Sequence, residues 1–105
     1  MPKLETGAWV KGEIVFAKQH KGDKGGVNVY YVKAIEEKEK KDGEAYTRQH
    51  SFLVKAFFLK AKTPKLLEVG TVARFDGILK TESYQDPETQ DWKETTFIEL
   101  EKVTL

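Results

Sequence analysis

The sequence predicts an all-β protein, a closed barrel of five strands with one short helix between the third and fourth. Three observations lead there. Four stretches alternate apolar and polar residues at the two-residue period of a half-buried strand, and a fifth is rich in β-branched and aromatic residues. Glycine, proline and aspartate punctuate the gaps between them. The length, 105 residues, suits one compact core, so residues 1–105 are expected to form a single domain.

Trp9 to Ala17 is the first strand, with Val10, Ile14 and Phe16 on one side and Trp9, Lys11 and Glu13 on the other. Lys18 to Gly26 is polar and glycine-rich and reads as a basic loop. Val27 to Ile35, β-branched and aromatic, is the second strand. Tyr31 and Lys33 share one face and Tyr30 takes the other, so one tyrosine is core and one exposed; the pattern leaves open which. Glu36 to Glu44 is a charge run ending in the turn signal Asp42-Gly43, a solvated hairpin tip with no binding role.

Tyr46 to Lys60 is the third strand. Phe52, Val54, Ala56 and Phe58 form its apolar inner face and leave Lys55 and Phe57 outside, an order that a bulge would reverse to make Phe58 a stacker. Thr63-Pro64 is a helix-start signal for Lys65 to Val69, closed by Gly70. Thr71 to Tyr84 is the fourth strand, with Ala73, Phe75, Gly77 and Leu79 inward and Arg74, Ile78, Lys80 and Tyr84 outward. Gly77 marks a bulge or bend there. Gln85 to Gln90 is a hairpin loop, and Trp92 to about Val103 the fifth strand, with Phe97 and Ile98 near its centre. A meander of five strands has raw edges that closure removes. Five strands with a helix between the third and fourth is the order of the OB-fold; a sandwich normally has more strands.

Composition narrows the function. The chain is 39% hydrophobic and 33% charged, a globular balance, and has no cysteine for a disulfide, thiolate metal site or nucleophile. It has no signal-peptide core and no long apolar run, so the expected address is cytoplasmic, without a membrane partner. His20 and His50 are isolated, Lys21 to Gly26 lacks phosphate-loop spacing, and the carboxylates fall on outward faces. No enzymatic activity, cofactor or metal is expected. The net charge of +1 conceals an asymmetry: residues 1–62 carry +5 (13 Lys/Arg, 8 Asp/Glu) and residues 63–105 carry −4 (5 and 9). Folding could gather the positive half on one face, where local charge governs phosphate contact.

Binding single strands without sequence preference needs flat aromatic faces for bases beside cations for the backbone. Several strands offer both: Trp9 with Lys11, Tyr31 with Lys33, Lys55 with Phe57, and Arg74 and Lys80 with Tyr84. Trp9 either stacks or caps the barrel end, and Trp92 presents the same choice among acidic neighbours. Lys18, Lys21 and Lys24, with His20, make the basic loop either a phosphate clamp or a solvated turn.

The segment Gly70 to Tyr84 resembles the fourth strand of bacterial and phage single-stranded DNA-binding proteins, matching at Gly70, Asp76, Gly77, Leu79, Lys80, Thr81 and Tyr84 without a gap. Asp91-Trp-Lys-Glu-Thr-Thr-Phe-Ile98 is similar to the family's last strand, and Leu66-Leu67-Glu68 to the end of its short helix. The resemblance covers roughly residues 63 to 100 and places Tyr84 where the family has a DNA-stacking tryptophan. It implies a DNA-coating OB-fold in replication, repair or recombination, acting as a homo-oligomer, a dimer first, with RNA as a possible second ligand and replication proteins as possible partners. Two departures stand out. The family's acidic tail is missing from a sequence that stops at Leu105, so tail-mediated recruitment is not expected. The hairpin after Tyr84 is acidic, with Asp86, Glu88, Asp91 and Glu94. Alternatives are a primosome-like accessory OB protein and a protein-interaction module that ignores nucleic acid.

Overall fold

Long strands make up most of the chain, which a computed structural model describes over residues 1–105. They are β1 (Ala8–Lys21), β2 (Gly25–Glu39), β3 (Ala45–Leu59), β4 (Val72–Gln85) and β5 (Trp92–Thr104). They close into a barrel in the order β1-β2-β3-β5-β4, with β4 returning to β1. Every neighbouring pair is antiparallel except β3 and β5, which meet in parallel where Val54 faces Ile98 and Lys55 faces Glu99.

Alternation packs Val10, Ile14, Tyr30, Val32, Val54, Ala73, Phe75 and Ile98 into one core. This resolves the tyrosine pair: Tyr30 is inside and Tyr31 outside. Tyr30 carries its hydroxyl into the core because a partner is waiting, the Leu67 N–H, which donates to it at 3.1 Å. Asn28, the one buried polar residue, is satisfied likewise. Gln19 donates through Nε2 to its Oδ1 at 2.8 Å and to the Pro64 carbonyl at 3.1 Å.

Several expectations need correction. Phe16 lies outside, because β1 bulges between Ile14, which faces Val32, and Phe16, which faces Tyr31. Val15 is the extra residue, and it shifts the alternation by one place. The basic loop shrinks to residues 22–24: β1 continues to Lys21 and β2 starts at Gly25, with Gly22 N–H donating to the Gly25 carbonyl at 2.6 Å. A Cβ on Gly26 would lie 2.2 Å from the His20 carbonyl oxygen, so glycine there permits the hairpin to close tightly.

The short helical element between β3 and β4 is a 3-10 turn at Lys60–Lys62, ahead of the expected Lys65 to Val69. Five residues are too few to repay helix nucleation. Irregular backbone instead lets Leu66 and Leu67 both pack against the core. Leu79 and Phe52 keep to the inner side of their strands, opposite the buried Ile98 and Val32, but both are exposed. With Ile98 they line a cleft of about 230 Å³. The β2–β3 ladder runs without a register shift, so Phe58 stays on the inner side and packs over Gly26.

Gly77 marks a bulge as its position suggested. Asp76 faces Lys102 while Gly77 faces Leu100, which leaves Glu101 of β5 as the extra residue. The β2–β3 hairpin extends beyond the rest: β1 pairs with β2 only as far as Lys33, whereas β2 and β3 pair to Glu39 and Ala45. This arm contributes to a molecule 56 Å long and 37 by 33 Å across.

Candidate nucleic-acid interface

The strand order sorts charge. β1, β2 and β3 belong to the positive half of the sequence and are neighbours; β4 and β5, from the negative half, close the barrel behind them. On the outer face of β1, β2 and β3 the register aligns aromatic and basic side chains in rows. Phe16 stands opposite Tyr31, their rings edge-to-face with centroids 5.6 Å apart. In the adjacent row Lys18 faces Val29, which in turn faces Lys55. Beyond it Val27 faces Phe57, and on the other side Lys33 faces Ser51. Tyr31 is 43% and Phe57 55% exposed, so both rings present surface to solvent.

At the β3–β5–β4 seam the cations are no longer free. Lys55 donates to Glu82 Oε2 at 3.0 Å, and its ammonium lies 4.8 Å from the centre of the Phe97 ring. Lys80, directly opposite Phe97, is ion-paired with Glu99. Phe97 is buried although outside the core cluster, against Lys55 and against Phe57 at 6.2 Å between centroids. Past this seam β3 carries an open groove of about 470 Å³ lined by Phe57, Phe58, Leu59, Lys62 and Pro64.

Trp9, Lys11 and Arg74 form a separate group at the β1–β4 seam. Lys11 faces Arg74 and Trp9 faces Asp76. The Arg74 guanidinium lies 4.2 Å from the Trp9 ring centre and is held there by Asp76, to which its Nε donates at 3.1 Å. One face of the indole is therefore occupied by a cation, yet Trp9 is still 59% exposed. Tyr84 is remote from both groups, opposite Lys93 near the end of the β4–β5 hairpin. Trp92 is exposed beside it, opposite Gln85. Lys93 ties down the turn by donating to Asp86 at 2.8 Å; this hydrogen bond, helped by the amide of Glu88, holds the Asp86 carboxyl below its ordinary range.

The twelve sequence-predicted residues thus divide. Lys18, Tyr31, Lys33, Lys55 and Phe57 share the β1–β2–β3 face, with Lys80 at its far margin. Trp9, Lys11 and Arg74 make the second group, Lys21 and Lys24 sit at the tip of the β1–β2 hairpin, and Tyr84 stands apart. No ion pair engages Lys11, Lys18, Lys21, Lys24 or Lys33. Sequence reasoning missed Phe16, whose signal was present: Phe16-x-Lys18 repeats the spacing of Trp9-x-Lys11 and Tyr31-x-Lys33. It also missed Glu82 and Glu99, whose partners are brought to them only by barrel closure.

No family model matches the sequence, and no curated protein matches it. Solved structures do. The Plasmodium falciparum single-stranded DNA-binding protein in complex with single-stranded DNA superposes with a TM-score of 0.75 at 15% identity, covering 95% of this chain and 90% of that one. A deletion mutant of the single-stranded DNA-binding protein from Thermus aquaticus gives 0.71 at 10% identity, over 94% of this chain and 49% of that one. The barrel is an OB-fold. On this OB barrel the aromatic and basic rows occupy β1, β2 and β3, and the acidic hairpin projects from β4 and β5.

Proposed function

We propose that this OB protein binds single-stranded DNA without catalysis, stacking bases on Tyr31, Phe16 and Phe57 while Lys18, Lys33 and the hairpin lysines Lys21 and Lys24 hold phosphates. The observation that carries the reading is the exposed aromatic rows lying in register with unpaired lysines on one sheet face, in a fold whose solved neighbours include a single-stranded DNA complex. RNA has the same chemistry and is a second ligand of the same face. The role proposed is coating of strands exposed in replication, repair or recombination.

The test is fluorescence anisotropy of labelled oligo-dT and oligo-dA at low and moderate salt. Binding should weaken as salt rises, and Tyr31→Ala or Phe57→Ala should each cost about 1–3 kcal/mol, the worth of one stacked base. Lys18→Ala should flatten the salt dependence by ~0.7 in log–log slope. Absence of binding to either oligomer at low salt rejects the proposal. It would favour the protein-interaction reading, for which the acidic hairpin and exposed Trp92 are the supporting observation.

A further inference from the structure

Two lysines on the candidate face are already answered by carboxylates from other strands. Glu82 of β4 accepts from Lys55 of β3 at 3.0 Å, and Glu99 of β5 pairs with Lys80 of β4. Both pairs flank Phe97, and Lys55 stands two places from Phe57, the most exposed aromatic of β3, whose ring lies 6.2 Å from that of Phe97. Lys18 and Lys33, on β1 and β2, make no ion pair, although Glu13 stands opposite Lys33 in the β1–β2 register. We infer that Glu82 and Glu99 are selectivity residues that act as built-in phosphate mimics and bias this face toward single strands over duplex.

The inference rests on the single-strand-binding reading and deepens it. A phosphate arriving at Lys55 or Lys80 finds a neutralised ammonium and must displace a carboxylate, which then stays nearby as a like charge. A ligand that brings only phosphates gains little from that exchange. Duplex DNA is such a ligand, because its base faces are stacked away inside the helix. A single strand adds a base on Phe57, and stacking offsets the unfavourable exchange. Lysines without partners would bind either form through charge; the paired seam makes aromatic contact a condition of tight binding.

The test compares the wild-type protein with the double variant Glu82→Gln/Glu99→Gln, titrating oligo-dT and a blunt duplex of equal length across a range of salt. Glutamine keeps side-chain size and removes charge. Freeing two lysines should tighten both complexes, the duplex more, so that the ratio of single-strand to duplex affinity falls. The salt slope should steepen by ~1.4 on oligo-dT and ~1.8 on duplex, taking ~0.7 and ~0.9 per lysine. Glu37→Gln/Glu39→Gln, on the distant arm, makes the same change in net charge and should leave the ratio where it is. An unchanged slope and ratio in a double variant that still binds overturns the inference and leaves the proposed function standing, as does an equal effect from the arm variant. Failure of the wild type to bind oligo-dT overturns the proposed function, and the inference with it.

Discussion

Alanine at Gly77 should loosen the barrel at a single seam. The added Cβ would lie 2.0 Å from the Glu99 carbonyl oxygen, 2.8 Å from its carbonyl carbon and 3.0 Å from Ile98 Cγ2. Ordinary contact begins near 3.4 Å, so the backbone of β5 must retreat by about 1.4 Å, the difference between that distance and the nearest approach. A flexible side chain could swing aside, but a strand carbonyl in a ladder cannot. Overpacking of this kind costs about 1–3 kcal/mol, and a ladder hydrogen bond lost in the retreat about 1 more. Alanine restricts the unfolded chain and returns about 0.4–1. The net, about 1–3 kcal/mol, is a large part of a typical stability of about 5–15. It corresponds to a melting point lower by roughly 5–20 °C at this size. Thermal unfolding by far-UV circular dichroism, with the urea midpoint at unchanged slope, measures it. A variant melting at or above wild type, with amide shifts confined to residue 77, would refute the steric reasoning.

Two further predictions concern the same scaffold. Tyr30→Phe keeps the buried ring but removes the acceptor of the Leu67 N–H; stability should fall by about 1 kcal/mol, and hydrogen exchange at Leu67 should accelerate beyond the global change, with unchanged protection there as the contrary result. Asp86 has a folded pKa depressed below 3.8 by its hydrogen bonds to Lys93 and to the Glu88 amide. A depressed carboxyl contributes stability at pH above 3.8 and loses it as pH falls through the lower folded value. The β4–β5 hairpin should therefore loosen only in strong acid. Lys93→Ala should move the Asp86 titration, followed by NMR, up toward 3.8; an Asp86 that already titrates there in the wild type would contradict the account.

What was legible in the sequence was whatever repeats. Four strands announced themselves through alternation, β2 through its β-branched and aromatic residues, and Gly77 as a glycine inside a strand. What was hidden depends on single residues out of phase or on partners distant in sequence. Phe16 belongs inside by simple alternation and lies outside because Val15 is a bulge, which period-two reading has no means to register. Lys18-Gln-His-Lys looked too polar for a strand because half of its logic lies on β2: Gln19 turns toward Asn28 and donates to its side-chain oxygen. The Thr63-Pro64 start signal is genuine local chemistry, overridden by the gain from seating Leu66 and Leu67 on the core. The candidate site was legible as pairs, an aromatic two places from a lysine. Their division between the β1–β2–β3 face and the β1–β4 seam came only with the circular strand order. The Lys55–Glu82 pair joins residues 27 apart in sequence and needed closure to exist.

The β2–β3 arm gives the charge run a purpose that binding does not. Beyond Lys33 the two strands pair only with each other, so this ribbon carries backbone donors and acceptors along both margins with no third strand to take them. Such margins are templates for another chain, and a ribbon bearing Ile35 at 64% exposure would invite one. Eight of the nine residues from Glu36 to Glu44 are charged, and the tip turns on Gly43 with φ +87°. Any second molecule adding a strand there would have to desolvate that dense shell of mixed charge. Neutralising the run should therefore show first as lost solubility rather than as lost affinity for a ligand.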